Sequence, residues 1–335
     1  MCVAVGVADI TQGLLLAERW NGRNWAVTHA PLPAGAISGG LTGVSCSSPL
    51  ACTAVGFDYS PSAGAGPLAE RWNGQSWALQ SVPSAGNEGI PLAGVSCPTA
   101  HSCTAVGQAS NTGFDLAEHW NGSRWAIQST PQVGTTGSQL SGVSCSSPSL
   151  CTAVGDYEAP PPGQGDPGAA PLALRWNGAK WAVQPTPGSA ANGDVSELAG
   201  VSCATASACT AVGYDVTGGP LALGWNGQNW ASQQITGPFP LSAVSCWSAG
   251  QCIAVGDADF SGFAERLQGQ TWTLQQVRTP YGAFSIFLTG VSCPVANRCT
   301  AVGYQDRTPS MVTDVHTLAE RWNGSTWVIQ APPSP

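Results

Sequence analysis

Cysteine is the residue with most chemistry to offer in this 335-residue chain, which carries thirteen. Twelve fall into pairs with the same five-residue spacer: Cys46/Cys52, Cys97/Cys103, Cys145/Cys151, Cys203/Cys209, Cys246/Cys252 and Cys293/Cys299. Zinc sites space their thiolates more closely and complete the set with further cysteine or histidine. Here the four histidines (His29, His101, His119, His316) do not recur with the pairs. Two cysteines flanking a short turn between antiparallel strands face each other within disulfide reach. Six disulfides are therefore expected, with no metal or cofactor, in an oxidising compartment. Cys2 is left over, at the position of the second cysteine of a pair.

A second set of chemically capable residues follows a recurring Ala-Val-Gly. It comprises Phe57, Asp58, Tyr59, Asp156, Tyr157, Tyr214, Asp215, Asp257, Asp259, Tyr304 and Asp306, with Asp9, Glu158 and Phe260 in the same stretches. Aromatic faces stack on sugar or proline rings. Carboxylates accept hydroxyl hydrogen bonds or hold Ca²⁺. These residues are candidates for a binding ring at the mouth of a channel. The alternative is that Asp and Tyr finish a strand and start a turn, copied along with the repeat.

Catalytic signatures are missing. There is no nucleophile elbow, zincin motif, phosphate loop or Cys/His couple. A sialidase-type site needs an arginine cluster, but most arginines lie in a repeated Glu-Arg-Trp or beside a turn (Arg23, Arg124). Of Arg278, Arg298 and Arg307, the middle one sits in a disulfide turn on the opposite rim, so the other two make no cluster. A glycoside hydrolase remains an alternative; it requires two carboxylates about 5–9.5 Å apart across a pocket.

The elements that position these residues are read from the repeat. Its consensus is L-x-G-V-S-C, five residues, C-T-A-V-G, a variable loop, L-A-E-R-W-N-G-x-x-W-A-x-Q, and a second variable loop. The second cysteine falls at Cys2, Cys52, Cys103, Cys151, Cys209, Cys252 and Cys299. Each unit reads as four short strands, with Asn-Gly as the turn between the last two. Leu68–Trp72 and Trp77–Gln80 are the third and fourth strands of the second unit. Units of this length with four strands and no helical period spell the blades of a propeller. The expected fold is all-β: one seven-bladed β-propeller with four-stranded antiparallel blades, the first lacking its first strand. Approximate blades are 1–31, 41–83, 92–131, 140–187, 198–236, 241–280 and 288–333. Tryptophans fill the gaps between blades, and the recurring Glu-Arg predicts a structural ion pair between or at the edge of blades. Asn121 and Asn323 match the glycosylation sequon only because they lie in the hairpin motif.

The motifs Gly94-Val95-Ser96-Cys97, Cys103-Thr104-Ala105-Val106-Gly107 and Gly74-x-Ser76-Trp77 resemble the BNR/Asp-box class of propellers. That class includes sialidase-like and photosystem-assembly-factor-like proteins. The resemblance covers nearly the whole chain, but Trp20, Trp72 and Trp120 stand where the box has its Asp. The chain is also similar to secreted actinobacterial proteins built of G-V-S-C…C-T-A-V-G…L-A-E-R-W-N-G repeats, a likeness that implies no activity.

Composition narrows the partners. Charged residues are 9%, the net charge is −8 and Lys180 is the only lysine. A nucleic-acid binder needs a basic stripe, which is absent. No apolar run is long enough to span a bilayer. The expectation is a non-catalytic, secreted or surface-attached binding or scaffold module. It recognises a glycan or protein through the rim of variable loops; a purely structural array is the alternative. No signal peptide opens the chain, so the start is expected to lie upstream, with the missing strand. Otherwise the first blade has three strands, leaving a gap or taking a strand from another chain.

Overall fold

The computed structural model describes residues 2–9, 13–83, 92–109, 112–159, 168–188, 195–215, 219–235, 237, 239–258, 260–308 and 314–332. Among them every regular element is a strand, and the strands form seven antiparallel sheets. Six sheets have four strands in chain order; the first has three, Cys2–Asp9, Leu14–Trp20 and Trp25–Thr28. The fold is a seven-bladed β-propeller, as the repeat predicted. Contacts group the chain into two compact units, Met1–Pro160 with Leu172–Gln184 and Pro335, and Pro161–Pro171 with Pro185–Ser334. The first unit carries blades one to four, the second blades five to seven.

The second blade illustrates the construction. Its strands are Ser38–Ser48, Ala51–Ser60, Gly64–Trp72 and Trp77–Gln80. Successive residues of a strand point to opposite faces, and the neighbours Ala54 and Val55 are both 0% exposed. Both faces of the sheet are therefore packed, which is why these strands read as continuous apolar runs rather than as an alternation. Across the first turn Cys46 sits opposite Cys52, and all six expected disulfides form, with Cα atoms 3.9–4.1 Å apart.

The hairpin between third and fourth strands differs in detail from the two-residue turn that Asn-Gly suggests. Trp72 pairs with Trp77, so four residues form the loop. Only Gly74 takes a positive φ, 99°. Asn73 instead turns its Oδ1 inward to accept the N–H groups of Gln75 and Ser76, both at 2.9 Å. The same bonds recur at Asn21, Asn121, Asn177, Asn226 and Asn323.

Within each unit, neighbouring blades are joined by repeated polar locks. The G-V-S-C serine accepts the N–H of the next blade's first cysteine at 2.9 Å, as in Ser45 with Cys97 and Ser202 with Cys246. Trp125 Nε1 donates to Gln80 at 2.9 Å and Trp272 Nε1 to Gln233 at 3.1 Å. The guanidinium of Arg71 lies over the Trp120 ring at 5.5 Å, and Arg266 over Trp322 at 5.8 Å.

These stacks correct the expected Glu-Arg ion pair. Adjacent strand residues face opposite ways, so the two side chains of Glu-Arg-Trp diverge. Arginine goes to a tryptophan. Glu70, Glu118, Glu265 and Glu320 are fully buried, and no partner reaches either oxygen of the first three among the described residues. Burial pushes the carboxyls of Glu70 and Glu118 up to about 8 and that of Glu265 up to about 7. Glu320 also rises to about 7 through burial, opposed by the Arg278 backbone N–H that it accepts at 3.0 Å and by the charge of Arg278.

Candidate functional site

Second and third strands run as one long hairpin past Ala-Val-Gly, so most of the candidate ring residues stand on strand ends rather than in loops. In the second blade Phe57 pairs with Pro67, Asp58 with Gly66 and Tyr59 with Ala65. Alternation puts Phe57 and Tyr59 on one face and Asp58 on the other. The Phe57 ring lies against Gly40, where a Cβ would come within 2.9 Å of it. Tyr59 is exposed. Burial raises the Asp58 carboxyl above the usual range.

Several other candidates have structural work. Asp156 is buried and accepts from Gln139 Nε2 at 2.8 Å. Tyr157 packs against the core of the fourth blade. Asp215 closes a turn, its Oδ1 accepting Gly219 N–H at 3.2 Å and its own N–H donating to the Gly219 carbonyl at 3.0 Å. Tyr214, half-buried, pairs with Glu197 and Pro220. Asp306 is 1% exposed and accepts both the N–H and the hydroxyl of Thr308, at 2.7 and 2.8 Å. Asp259 lies outside the described residues.

The second unit brings the remaining candidates together with residues that the sequence did not single out. Tyr304, on the second strand of the seventh blade (Arg298–Asp306), stacks on Phe287 of its first strand (Ser285–Val295). Their ring centroids are 4.8 Å apart and their planes 22° apart. Burial raises the Tyr304 hydroxyl pKa, and the charge of Asp257 on the sixth blade raises it further. Burial also raises the Asp257 carboxyl. Three residues along the chain from Phe287, Phe284 lies 6.0 Å from Phe260 between ring centroids. Phe260 and Phe284 are roughly half exposed and Tyr281 wholly so.

Phe260 stands out by its backbone. It occupies the turn between the second and third strands of the sixth blade with φ of +71°, the only non-glycine residue with positive φ among those described. In the corresponding turns of the first three blades the positive-φ residue is Gly13, Gly64 or Gly113. A bulky side chain in this region costs about 1–3 kcal/mol, and such strain clusters at functional positions. The turn is pinned by Ile286, whose N–H donates to the Phe260 carbonyl at 2.8 Å. Phe284, Phe287 and Tyr281 escaped sequence reading because they lie in a linker and a first strand, away from Ala-Val-Gly. The available signal was the run Tyr281-Gly-Ala-Phe284-Ser-Ile-Phe287, aromatic where other linkers are rich in Gly, Ser and Pro.

The first unit holds two equivalent grooves between neighbouring blades. One, of 420 Å³, is lined by Gln80, Pro83, Trp120, Arg124 and Trp125, among others. The other, of 450 Å³, has Gln128, Pro131, Trp176, Lys180 and Trp181 in the same places. In the first groove Trp120 is 8% exposed beneath Arg71, and Trp125 is 3% exposed with its N–H on Gln80. Among the described residues no three His, Cys, Asp or Glu side chains gather as metal ligands, and no helix is long and apolar enough to cross a membrane.

No protein-family model matches the chain, and no curated protein matches it. Solved structures do. A lectin from Aleuria aurantia in complex with alpha-methyl-L-fucoside superposes with a TM-score of 0.55 at 14% identity, covering 87% of this chain and 95% of the lectin. YCF48 bound to a D1 peptide gives a TM-score of 0.54 at 13% identity, covering 95% of this chain and 86% of the other. The WD40 repeats of RRP9 give 0.55 at 12% identity, with 89% of each chain covered. At these identities the likeness is one of fold. The Aleuria aurantia lectin is described as six-bladed, whereas this chain has seven sheets.

Proposed function

We propose that the chain is a non-catalytic binding module that recognises a glycan through exposed aromatic and acidic groups on its sixth and seventh blades. The observation that carries this reading is Phe260, held half exposed at a positive φ where sister blades use glycine. A strained, solvent-facing aromatic adds nothing to the core; it offers a face. Beside it are the Phe260–Phe284 pair and the Phe287–Tyr304 stack with the Asp257 carboxyl. Rings against the apolar face of a sugar and a carboxylate on its hydroxyls form a usual division of labour. Propellers of this fold include a lectin solved with a fucoside.

A protein ligand is the second reading. Phe260, Phe284 and Tyr281 are apolar enough to pack against peptide side chains, and a propeller of this fold is solved with a bound peptide. Six disulfides fit an extracytoplasmic setting, secreted or at the cell surface. Kinship with BNR/Asp-box propellers or with the actinobacterial repeat proteins rests on the motifs alone.

The test is a glycan array and a peptide array probed with the full chain, then with Phe260→Gly and Tyr304→Ala. Glycan binding lost at least tenfold in both variants, with folding retained, is the expected result. Binding confined to peptides selects the second reading. Ligands held equally well by both variants place recognition elsewhere.

A further inference from the structure

Charge is sorted along the strands of the second, third and fourth blades. Their four cations, Arg71, Arg124, Arg175 and Lys180, all lie at the end of the sheet where the tryptophans of the last hairpin pair. The exposed or loop-end acids lie at the other end. Among the described residues Asp58, Asp115, Asp156 and Glu158 stand five or more residues along the strand from the nearest paired cysteine or tryptophan, roughly 16 Å or more away. That is beyond the Debye length of about 8 Å at physiological ionic strength. Glu70 and Glu118 lie nearer but are fully buried, their carboxyls pushed up to about 8 by burial, so they hold their protons at neutral pH. The net charge of −8 therefore gives no account of this end, which is locally cationic.

Two of the four cations serve the fold. Arg71 lies over Trp120 and donates to the Ala100 carbonyl, and Arg175 Nη1 donates to Thr152 Oγ1 at 3.4 Å. Arg124 and Lys180 are exposed, and each is the one charged residue lining its inter-blade groove. They hold the same position of the hairpin turn, where their N–H groups donate to Asn121 Oδ1 at 3.0 Å and to Asn177 Oδ1 at 2.9 Å. In the first, second, fifth and seventh blades that position is Asn24, Ser76, Asn229 and Thr326. The turn does not need a cation, and the repeat does not carry one there. The rest of each groove favours the same kind of ligand. Gln80 and Gln128 spend Oε1 on the indole N–H of Trp125 and Trp181, at 2.9 and 3.0 Å, which leaves each NH₂ as a donor. Ser81 and Ser129 add hydroxyls at equivalent places, and Pro83 and Pro131 add apolar wall. Trp176 in the second groove is half-buried, whereas Trp120 in the first is 8% exposed. Volumes of 420 and 450 Å³ fall in the range of about 300–1,000 Å³ usual for small-ligand clefts.

We propose that these two grooves take acidic sugars of one linear polysaccharide, with the anionic group of one sugar on Arg124 and that of another on Lys180. The amide NH₂ and serine hydroxyl of each groove bond the ring oxygens, and the proline and tryptophan edges meet its apolar face. A repeating ligand suits equivalent sites on consecutive blades, because the second contact is made at the raised local concentration that the first creates. The site shares no residue with the aromatic rim of the sixth and seventh blades and stands if that reading fails.

The probes are polygalacturonate, dextran sulfate and neutral dextran, each run against the full chain by affinity electrophoresis at low and at physiological salt. Retardation by at least one of the two acidic polymers, and none by neutral dextran, is expected; which acidic polymer retards more tells whether the groove prefers carboxylate or sulfate. Arg124→Gln and Lys180→Gln should each weaken binding at least fivefold and the double variant at least thirtyfold, with the melting temperature unchanged because both side chains are exposed. Arg23→Gln removes an exposed cation that lines neither groove and should leave binding as it was. Phe260→Gly and Tyr304→Ala should also leave it unchanged, which separates this site from the rim. The proposal is overturned if neither acidic polymer retards the chain, if the double variant binds like the parent, or if Arg23→Gln weakens binding as much as Arg124→Gln. It is overturned equally if a single-stranded oligonucleotide competes as well as the polysaccharide, since net attraction to any polyanion would then suffice.

Discussion

The buried glutamates show how far a single residue's role departs from its charge. Glu18, Glu70, Glu118, Glu265 and Glu320 occupy one position of the repeat, and in the fourth and fifth blades that position is Leu174 and Leu223, both 0% exposed. The slot is apolar, and Glu70, Glu118, Glu265 and Glu320 fit it by holding their protons. Sequence reading took Glu-Arg for a structural ion pair because the two recur together in most blades. Adjacency in a strand means opposite faces, and the leucines at the same position were the sign that charge is not needed. Glu70→Leu is therefore expected to raise stability by about 1–3 kcal/mol at pH 8, the cost of an unsatisfied buried polar group, read from the denaturant midpoint. Glu70→Gln keeps a neutral polar group there and should change little at pH 5. Phe260 makes the converse case: Phe260→Gly relieves a left-handed backbone and should stabilise the chain by about 1 kcal/mol while weakening ligand binding. A loss of stability would mean that the ring packs rather than recognises.

At the scale of the element, the blade was legible because its restraints recur in register: paired cysteines, a β-branched run, Asn-Gly and two tryptophans. The strand ends beyond Ala-Val-Gly were not. There the residues differ from blade to blade, and only backbone pairing, such as Ser60 with Gly64, shows that the hairpin continues. The tight contact between first and second strands was equally hidden, because a glycine in a strand looks the same whether crowded or open. It makes a sharp prediction. Gly56→Ala sets a methyl 1.9 Å from the Gly40 carbonyl, so the first strand must shift, at a cost of about 3 kcal/mol or complete misfolding. The identical change at Gly6, where a Cβ would meet nothing within 4 Å, should cost nothing measurable. Replacing Cys97 and Cys103 with serine opens one short loop and should cost about 2 kcal/mol. Because each described disulfide closes its own hairpin, proteolysis of that double variant should begin near residues 97–103 and leave the other blades intact.

The whole chain is poor in charge and acidic, with a net charge of −8, and its response to pH follows from where its acids are buried. Glu70 and Glu118 are held up to about 8, and Glu265 and Glu320 up to about 7, against 4.5 for an ordinary glutamate, in each case chiefly by burial. Asp58 and Asp257 are raised as well. Between the unfolded and folded values the native chain keeps protons that the unfolded chain has released. The native state therefore binds more protons, and unfolding becomes easier as pH rises. With respect to the four glutamates, stability is fully present below pH 4.5. It falls by about 1.4 kcal/mol per pH unit for each group as the pH climbs, and levels off first for the sixth and seventh blades, then for the second and third. A melting series from pH 4.5 to 9 should thus decline across neutrality, unlike the common case in which paired carboxylates stabilise a protein as they ionise. Glu70→Gln with Glu118→Gln should flatten the decline up to pH 8, and Glu265→Gln with Glu320→Gln should flatten it only up to pH 7. The slope should be insensitive to added salt, since desolvation rather than a neighbouring charge sets it. A melting temperature that rises through this range, or a decline that survives all four substitutions, would show that these carboxyls ionise without cost and that the slot is not the dry one its leucines describe.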